Sequence, residues 1–521
     1  MTNRIQVKLS ELCFYLFFTA LLFAKGIGLY DGQTSFKVFL LIALIGWIGK
    51  MLLTQYDYRE IPLYLILIAL GGIIYLISHE KGALIVIMLL CALKGMELKR
   101  VFRVGIVTWV LSFGTLFLLT STHVIDSAFK VHDRLGMGRV IRWSLGYAHP
   151  NVLHISYFVL VCFLVYLLQD RFRFWHLLLI EAGNLYVFLY SLSTTGFLVT
   201  TGCLMLVLYW NLRKDFCKAE RIMIQLCLPV CLFISLGAPL LLRGKAFDLV
   251  NKLLNTRLEL SKWFLENQPV KLLGVDTRTI VTSLRTMDSS YVFALITYGV
   301  IFFIFIILCY FRVIYRNTVQ RDGIALCVIL SCLIAGLTEP FLFNTSFKNL
   351  SLLFIGVDLF CTERTSSKRL FDLKMDRNLQ IPFPDVTDIC SRIRQSVRKY
   401  GIRLMAFSAV GALLSAIVVF CSTPMPERYL LPRKAFEYTD DLEESYYLTS
   451  EEDILNEGDR ILGYESEQTE MVAFTGNIAQ LERFRNTVTG AIVSGLLIFG
   501  AGSLLMTFMM RNKNGVRENE K

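Results

Sequence analysis

The chain has 521 residues, 55% of them hydrophobic and only 18% charged, with a net charge of +11. A soluble domain is about a quarter charged and roughly 45–50% apolar, so this composition excludes an ordinary soluble protein. The basic residues sit between apolar runs rather than in one patch, which makes them a topology signal and excludes nucleic acid as the partner.

The apolar residues fall at 10–28, 36–54, 61–78, 82–97, 101–121, 151–168, 174–192, 194–212, 221–242, 289–311, 323–343, 346–361, 403–421 and 486–509. Most of these runs are long enough to cross a hydrocarbon core of ~30 Å. Inside lipid the backbone must satisfy its own polar groups, so they are expected to be helices. The fold class predicted is all-α, a polytopic membrane protein of about fourteen transmembrane helices. The first run is followed by Lys25-Gly26-Ile27-Gly28 rather than a small-residue cleavage site, and is expected to remain as a span. Most of the 13 cysteines, Cys91, Cys162 and Cys203 among them, lie inside apolar runs and read as small buried hydrophobes, not as disulfide or zinc partners.

Charge sets the expected orientation. With Arg4 and Lys8 cytoplasmic, alternate turns carry Lys50 and Arg59, then Lys94, Lys99, Arg100 and Arg103, then Arg171 and Arg173, then Arg213, Lys214, Lys218 and Arg221, then Arg312, Arg316 and Arg321. Most short turns on the other side lack Lys and Arg, so both termini are expected in the cytoplasm.

Three outer loops are long: 122–150, 243–288 and 422–485. The second carries eight basic residues, including Arg243, Arg257, Arg278 and Arg285, and the first adds Lys130, Arg134, Arg139 and Arg142. One reading is a solvated surface on translocated loops; the other is a basic mouth for an anionic ligand. The expected organisation is a membrane core over 1–361, a basic cytoplasmic linker over 362–402 that can lie on anionic headgroups, and a C-terminal helix–outer loop–helix module over 403–521. The loop of that module holds thirteen Asp and Glu between Glu437 and Glu470, too polar for a large core, and is expected to be disordered or partner-bound.

The chain has no Gly-rich phosphate loop, no His-Glu-x-x-His and no Gly-x-Ser-x-Gly elbow. Few helices carry charge, apart from Glu181 and Glu339, which argues against an ion-coupled transporter. What remains is a set of polar clusters on the outer side: Gly146–Asn151 with His149 and Asn151, Ser191–Gly196, Asn255–Trp263 with Arg257, Leu272–Asp276, Met287–Tyr291 with Asp288, and Thr338–Asn344 with Glu339. Each also has a local reading, since Pro150-Asn151 can start a helix and Asp288-Ser289-Ser290 can cap one.

In that order the clusters resemble the O-antigen and exopolysaccharide polymerase family (the Wzy type), which shares its architecture with O-antigen ligases. The matching stretches are Gly146–Leu153, Ser191–Gly196, Arg257–Asp276, Asp288–Gly299 and Glu339–Asn344, within residues 10–361. Thr195 stands where an arginine is common, and 243–288 lacks the histidine typical of ligases, which favours the polymerase.

The resemblance implies a glycosyltransferase-C-like core that joins polyprenyl-diphosphate-linked oligosaccharides at the outer leaflet of a bacterial plasma membrane. It implies a flippase and a chain-length regulator of the same pathway as partners. No cofactor and no metal are expected. Losing a diphosphate builds charge on the departing oxygen, for which arginine forks are suited. Arg257 and Arg278 are the expected diphosphate ligands, with Arg142 and Arg285 in reserve; Asn151 and Glu339 are expected to bind substrate. Asp276, His149 and Asp288 are the candidate bases for the attacking hydroxyl. The competing functions are a ligase-like glycan transferase, a lipid-linked oligosaccharide flippase and a non-catalytic assembly scaffold.

Overall fold

The structure, a computed structural model, describes residues 3–519 apart from 58–59, 122–123, 134–138, 214, 280–285, 361–375, 384–386, 427, 436–445, 448–459, 463–469 and 475–477. It is mostly helical, and ten helices among the described residues are long and apolar enough to cross a membrane, as a multi-pass membrane protein requires. The chain divides into two compact units: residues 7–128 with 144–379, and residues 1–6 with 129–143 and 380–521.

Among the described residues the first unit holds sixteen α-helices. They are α1 (Leu9–Gly26), α2 (Thr34–Leu53), α3 (Glu60–Ser78), α4 (Gly82–Ala92), α5 (Leu98–Ser121), α6 (Pro150–Leu168), α7 (Phe174–Ser191), α8 (Thr194–Arg213), α9 (Lys218–Leu232), α10 (Ala238–Leu241), α11 (Gly244–Leu253), α12 (Arg257–Asn267), α13 (Ser290–Phe293), α14 (Gly299–Gln320), α15 (Gly323–Ala335) and α16 (Ser351–Leu359). A π turn over Phe233–Gly237 joins α9 to α10, and another over Ala294–Tyr298 joins α13 to α14, so each pair forms one span.

Four expected spans depart from a plain apolar crossing. Helices α4, α15 and α16 have 11, 13 and 9 residues. At 1.5 Å per residue they reach only ~14–20 Å, short of the hydrocarbon thickness. Each is buried along nearly its whole length, so protein rather than lipid surrounds it. Helix α7 is long enough, but His176, Glu181 and Asn184 make it polar, and the last two belong to a buried network described below.

The alternation of helices puts the basic turns at one end of this unit. There, acidic partners hold them: Lys94 meets Glu60, Arg312 and Arg316 both meet Asp358, and Arg221 and Arg321 both meet Asp215. The loops between α3 and α4 and between α15 and α16 lie at the other end.

The second unit contains α17 (Thr387–Ser422) and α18 (Ile478–Asn519), an antiparallel pair packed through small residues. The Ser415 hydroxyl donates to the Gly490 carbonyl at 3.0 Å, and Ser408 does the same to Gly495. The other faces, with Leu413, Leu414, Leu496 and Leu497, are exposed, as lipid contact requires. Helix α17 begins within the region expected to be a linker, so the latter part of that basic segment continues the span.

Strands β1 (Asn3–Lys8), β2 (Phe129–Asp133), β3 (Arg139–Trp143), β4 (Asn378–Phe383), β5 (Tyr429–Pro432), β6 (Tyr446–Tyr447), β7 (Arg460–Ile461) and β8 (Glu470–Phe474) complete the chain. β1 pairs with β4, and the order β6-β8-β5-β7 forms a four-stranded sheet. β2 and β3 form an antiparallel hairpin whose Val131 and Ile141 pack with Tyr429, Leu431 and Ile478. Trp143 donates its indole N–H to Glu482 on α18 at 2.9 Å. The hairpin of the first long loop is therefore part of the C-terminal unit's own core, an organisation that the division at 361 and 403 did not contain.

Candidate functional site

The segment between α15 and α16, residues 336–350, is non-helical over most of its length although short helices flank it. Backbone of this kind is tolerated at membrane depth only where protein or a cavity surrounds it. Its polar groups are met by neighbouring side chains. The Ser290 hydroxyl donates to the Glu339 carbonyl at 2.5 Å and accepts from the Leu342 N–H at 3.1 Å. Asn349 donates to the Leu342 carbonyl at 2.9 Å and to the Tyr310 hydroxyl at 2.8 Å. The Tyr298 hydroxyl donates to the Phe343 carbonyl at 3.1 Å.

This segment holds Glu339 in a buried position (8% exposed), where one carboxylate oxygen accepts from the Asn151 amide at 3.0 Å. Asn151 is placed by the start of α6. Pro150 fits the first helical turn, where no backbone N–H is needed, and His149 caps it by accepting the Asn151 N–H on Nδ1 at 3.1 Å. With Nδ1 accepting, the neutral His149 ring carries its proton on Nε2. The turn before it depends on Gly146, at φ +88, where a Cβ would come within 2.6 Å of Leu116 and Thr120.

Ser290 links this pair to the next. Two residues before it, Asp288 forms an ion pair with Arg257 at 3.3 Å, with both side chains mostly buried at 20% and 14% exposed. Thr286 donates its hydroxyl to Asp288 at 2.7 Å, and the Asn255 carbonyl accepts from Arg257 at 2.8 Å. Four stretches distant in sequence, 149–151, 257, 288–290 and 339, thus come together.

Asp276 and Arg278 stand apart. Arg278 folds back on Asp276 through its side chain and backbone N–H, with guanidinium contacts of 2.8 and 3.0 Å, and also reaches His79 at 2.6 Å. Its side chain is 68% exposed. Neither residue bonds to the Arg257–Asp288 group among the described residues, so the expected convergence of Arg257 and Arg278 on one ligand has no contact to support it. The Arg278 side-chain bonds, and then its backbone N–H, hold the Asp276 carboxyl at about 2, well below the usual carboxylate range. A carboxylate held that low is a weak proton acceptor. Because the folded value is depressed, the pair's contribution is full above the ordinary carboxylate range and is lost only as pH falls through about 2. We expect Asp276→Asn to leave the thermal unfolding midpoint of the purified protein close to that of wild type across pH 5–8; the pair is exposed, and exposed pairs contribute little.

Arg142 is buried (1% exposed) in β3, within the C-terminal unit and not in the unit that holds the other candidates. Arg285 lies outside the described residues.

Two groups went unassembled in the sequence, although Glu181 and Ser191 were named there. The first is a polar chain through α6, α7 and α8. His154 meets the Ser191 hydroxyl at 2.9 Å and the Asn184 amide oxygen at 2.8 Å; Asn184 and Thr201 both donate to Glu181 at 3.2 and 2.6 Å. The second is Lys348, buried in the 336–350 segment at 4% exposed. Ionisable residues inside apolar runs were the available signal for both.

No protein-family model, curated protein or solved structure matches this chain.

Proposed function

We propose that the chain is a membrane-embedded glycosyltransferase that polymerises polyprenyl-diphosphate-linked oligosaccharides on the outer face of a bacterial plasma membrane. The observation that carries this reading is the meeting of Arg257, Asp288, Glu339 and Asn151 at one end of the bundle. Charged groups are expensive at membrane depth and are retained where a charged substrate is handled.

The chemistry needs two parts. A fixed cation must hold the diphosphate as its bond to the anomeric carbon breaks, and a carboxylate must take the proton from the acceptor hydroxyl as its oxygen attacks that carbon. Arg257 supplies the first. Its guanidinium is engaged by Asp288. An incoming diphosphate competes for the same fork and frees the Asp288 carboxylate beside the reacting carbon, where it accepts the proton. Glu339 and Asn151 hold the acceptor sugar through hydroxyl contacts. The products are the lengthened lipid-linked chain and the released polyprenyl diphosphate.

A strain lacking the protein tests the reading. We expect single lipid-linked repeat units to accumulate. Long unattached chains would point to a ligase instead, and repeats trapped on the cytoplasmic leaflet to a flippase.

A further inference from the structure

Helix α11 presents an apolar face that no other part of the chain covers among the described residues. Ala246, Leu249, Val250 and Leu253 recur at the i, i+3, i+4, i+7 spacing of one helical stripe, and Lys245, Asp248 and Lys252 form a separate polar stripe. Leu249 is 71% exposed and Leu253 82%, and no residue of the helix is buried. A single exposed leucine needs no explanation, but a stripe of them does.

Its place in the chain says what covers the face. The span formed by α9 and α10 ends at Leu241, itself 69% exposed as lipid contact requires, and only Leu242 and Arg243 separate it from α11. Both of these residues are extended and Gly244 follows at φ +55, so the helix breaks at the membrane edge and α11 starts there on a new course. Arg243, Lys245 and Lys252 are exposed, against the single carboxylate of Asp248 on the helix, which suits a layer of anionic headgroups. At its far end α11 is tied to α12. Asn255 and Thr256 both have left-handed backbone, at φ +52 and +68, a conformation that a β-branched threonine rarely takes. The Glu259 N–H donates to the Asn251 side-chain oxygen at 3.0 Å, and the Thr256 N–H to the Asn251 carbonyl at 2.9 Å. The Lys262 ammonium lies 5.5 Å from the centre of the Phe247 ring. Strain of this kind persists where the surroundings fix it. Arg257, the first residue of α12, follows the turn directly.

We propose that α11 lies in the plane of the bilayer surface, with Leu249 and Leu253 among the acyl chains and Lys245 and Lys252 among the headgroups, and that through the Asn255–Thr256 turn it holds Arg257 at headgroup level. The partner is the phospholipid surface. The seating of the helix depends on no reading of the reaction; that the held arginine meets a lipid-linked substrate rests on the function proposed above. The headgroup of a lipid-linked substrate stays at a fixed depth because its chain is in the hydrocarbon. A loop anchored to the same surface presents its cation at that depth without a search.

The test uses the full-length protein in nanodiscs of phosphatidylcholine and phosphatidylglycerol, with photoreactive p-benzoylphenylalanine replacing one residue at a time. We expect irradiation at Leu249 and Leu253 to give phospholipid adducts by mass spectrometry, as at Leu413 on the exposed face of α17, and about tenfold fewer at Asp248 on the polar stripe. Crosslinked dimers in place of lipid adducts would make the face a contact between copies. Equal adducts at Asp248 would mean that the apolar stripe does not orient the helix. Either result overturns the proposal. The anchoring role is read with Leu249→Ser/Leu253→Ser, which we expect to lower the joining of lipid-linked repeats about tenfold at an unchanged thermal midpoint, while Leu249→Met/Leu253→Met retains it. Joining at the wild-type rate by the serine variant would overturn the role. So would a clear drop in its thermal midpoint, which would make the stripe part of the protein's own packing. The two proposals fail separately. Lipid adducts without any joining by the wild type leave the helix seated and remove the polymerase; joining by a wild type whose α11 gives no adducts removes the seating alone.

Discussion

Replacing Arg257 by Ala is expected to reduce polymer formation by about 10²–10³-fold, the scale of ~3–4 kcal/mol for a lost donor to a charge that develops in the transition state. Two effects act together. The departing diphosphate loses its guanidinium, and Asp288, mostly buried at 20% exposed, loses its ionic partner. Arg257→Lys keeps the charge but not the fork, so it should recover activity only in part. The measurement is the length and amount of lipid-linked glycan in a complemented deletion strain, with the variant's membrane level checked. Polymer of normal amount and length from Arg257→Ala at normal protein level would remove Arg257 from the chemistry.

Gly274→Ala should be as damaging for a different reason. Gly274 has φ +86, and a Cβ there would lie 2.1 Å from the Thr297 carbonyl oxygen and 3.0 Å from the Tyr298 backbone. The positive φ alone costs about 1–3 kcal/mol for a non-glycine residue, and the clash is with backbone that cannot rotate away. The contact matters because it seats the long loop on the π turn before α14. The Val300 and Ile301 N–H groups donate to the Lys271 and Leu272 carbonyls at 3.0 and 3.1 Å. The Thr277 hydroxyl then donates to the Ser78 carbonyl at 2.8 Å. We expect the variant to lose monodisperse protein in detergent size-exclusion chromatography and to make no polymer. A folded, active Gly274→Ala protein would show that the loop is not seated in this way.

The apolar runs located most helices because a long run in lipid has few alternatives to a helix. Where sequence and structure part, a polar residue inside a run marks the place. The spans drawn at 323–343 and 346–361 contain Glu339, Pro340, Asn344, Lys348 and Asn349, and the chain there leaves the helix for a buried segment. Proline and the two asparagines signal the break, and a lysine in an apolar run signals a function, but neither says which backbone groups Ser290 or Tyr298 would meet. The same holds for Glu181 and Asn184 on α7, whose partners His154 and Thr201 come from other helices.

The site was legible in part. The motif order put His149, Asn151, Arg257, Asp288 and Glu339 on one side, and the Asn151–Glu339 and Arg257–Asp288 contacts fall among them. Arg142 shows the limit of counting charges. Phe129 and Val131 alternate with Lys130 and His132, and Ile141 and Trp143 flank Arg142, a strand-spacing signal that the basic count of the loop hid; the hairpin joins the core around Tyr429 and Leu431 and takes Arg142 with it. Arg278 is paired locally, since an Asp two residues before an Arg in a tight turn can claim the guanidinium, and motif order carries no sign of that pairing.

The most direct test is joining in vitro: purified protein, purified polyprenyl-diphosphate-linked repeat units and no other enzyme. We expect a ladder of products one repeat apart with release of polyprenyl diphosphate, reduced about 10²–10³-fold by Arg257→Ala. Repeat units recovered unjoined from a folded, substrate-binding protein would contradict it.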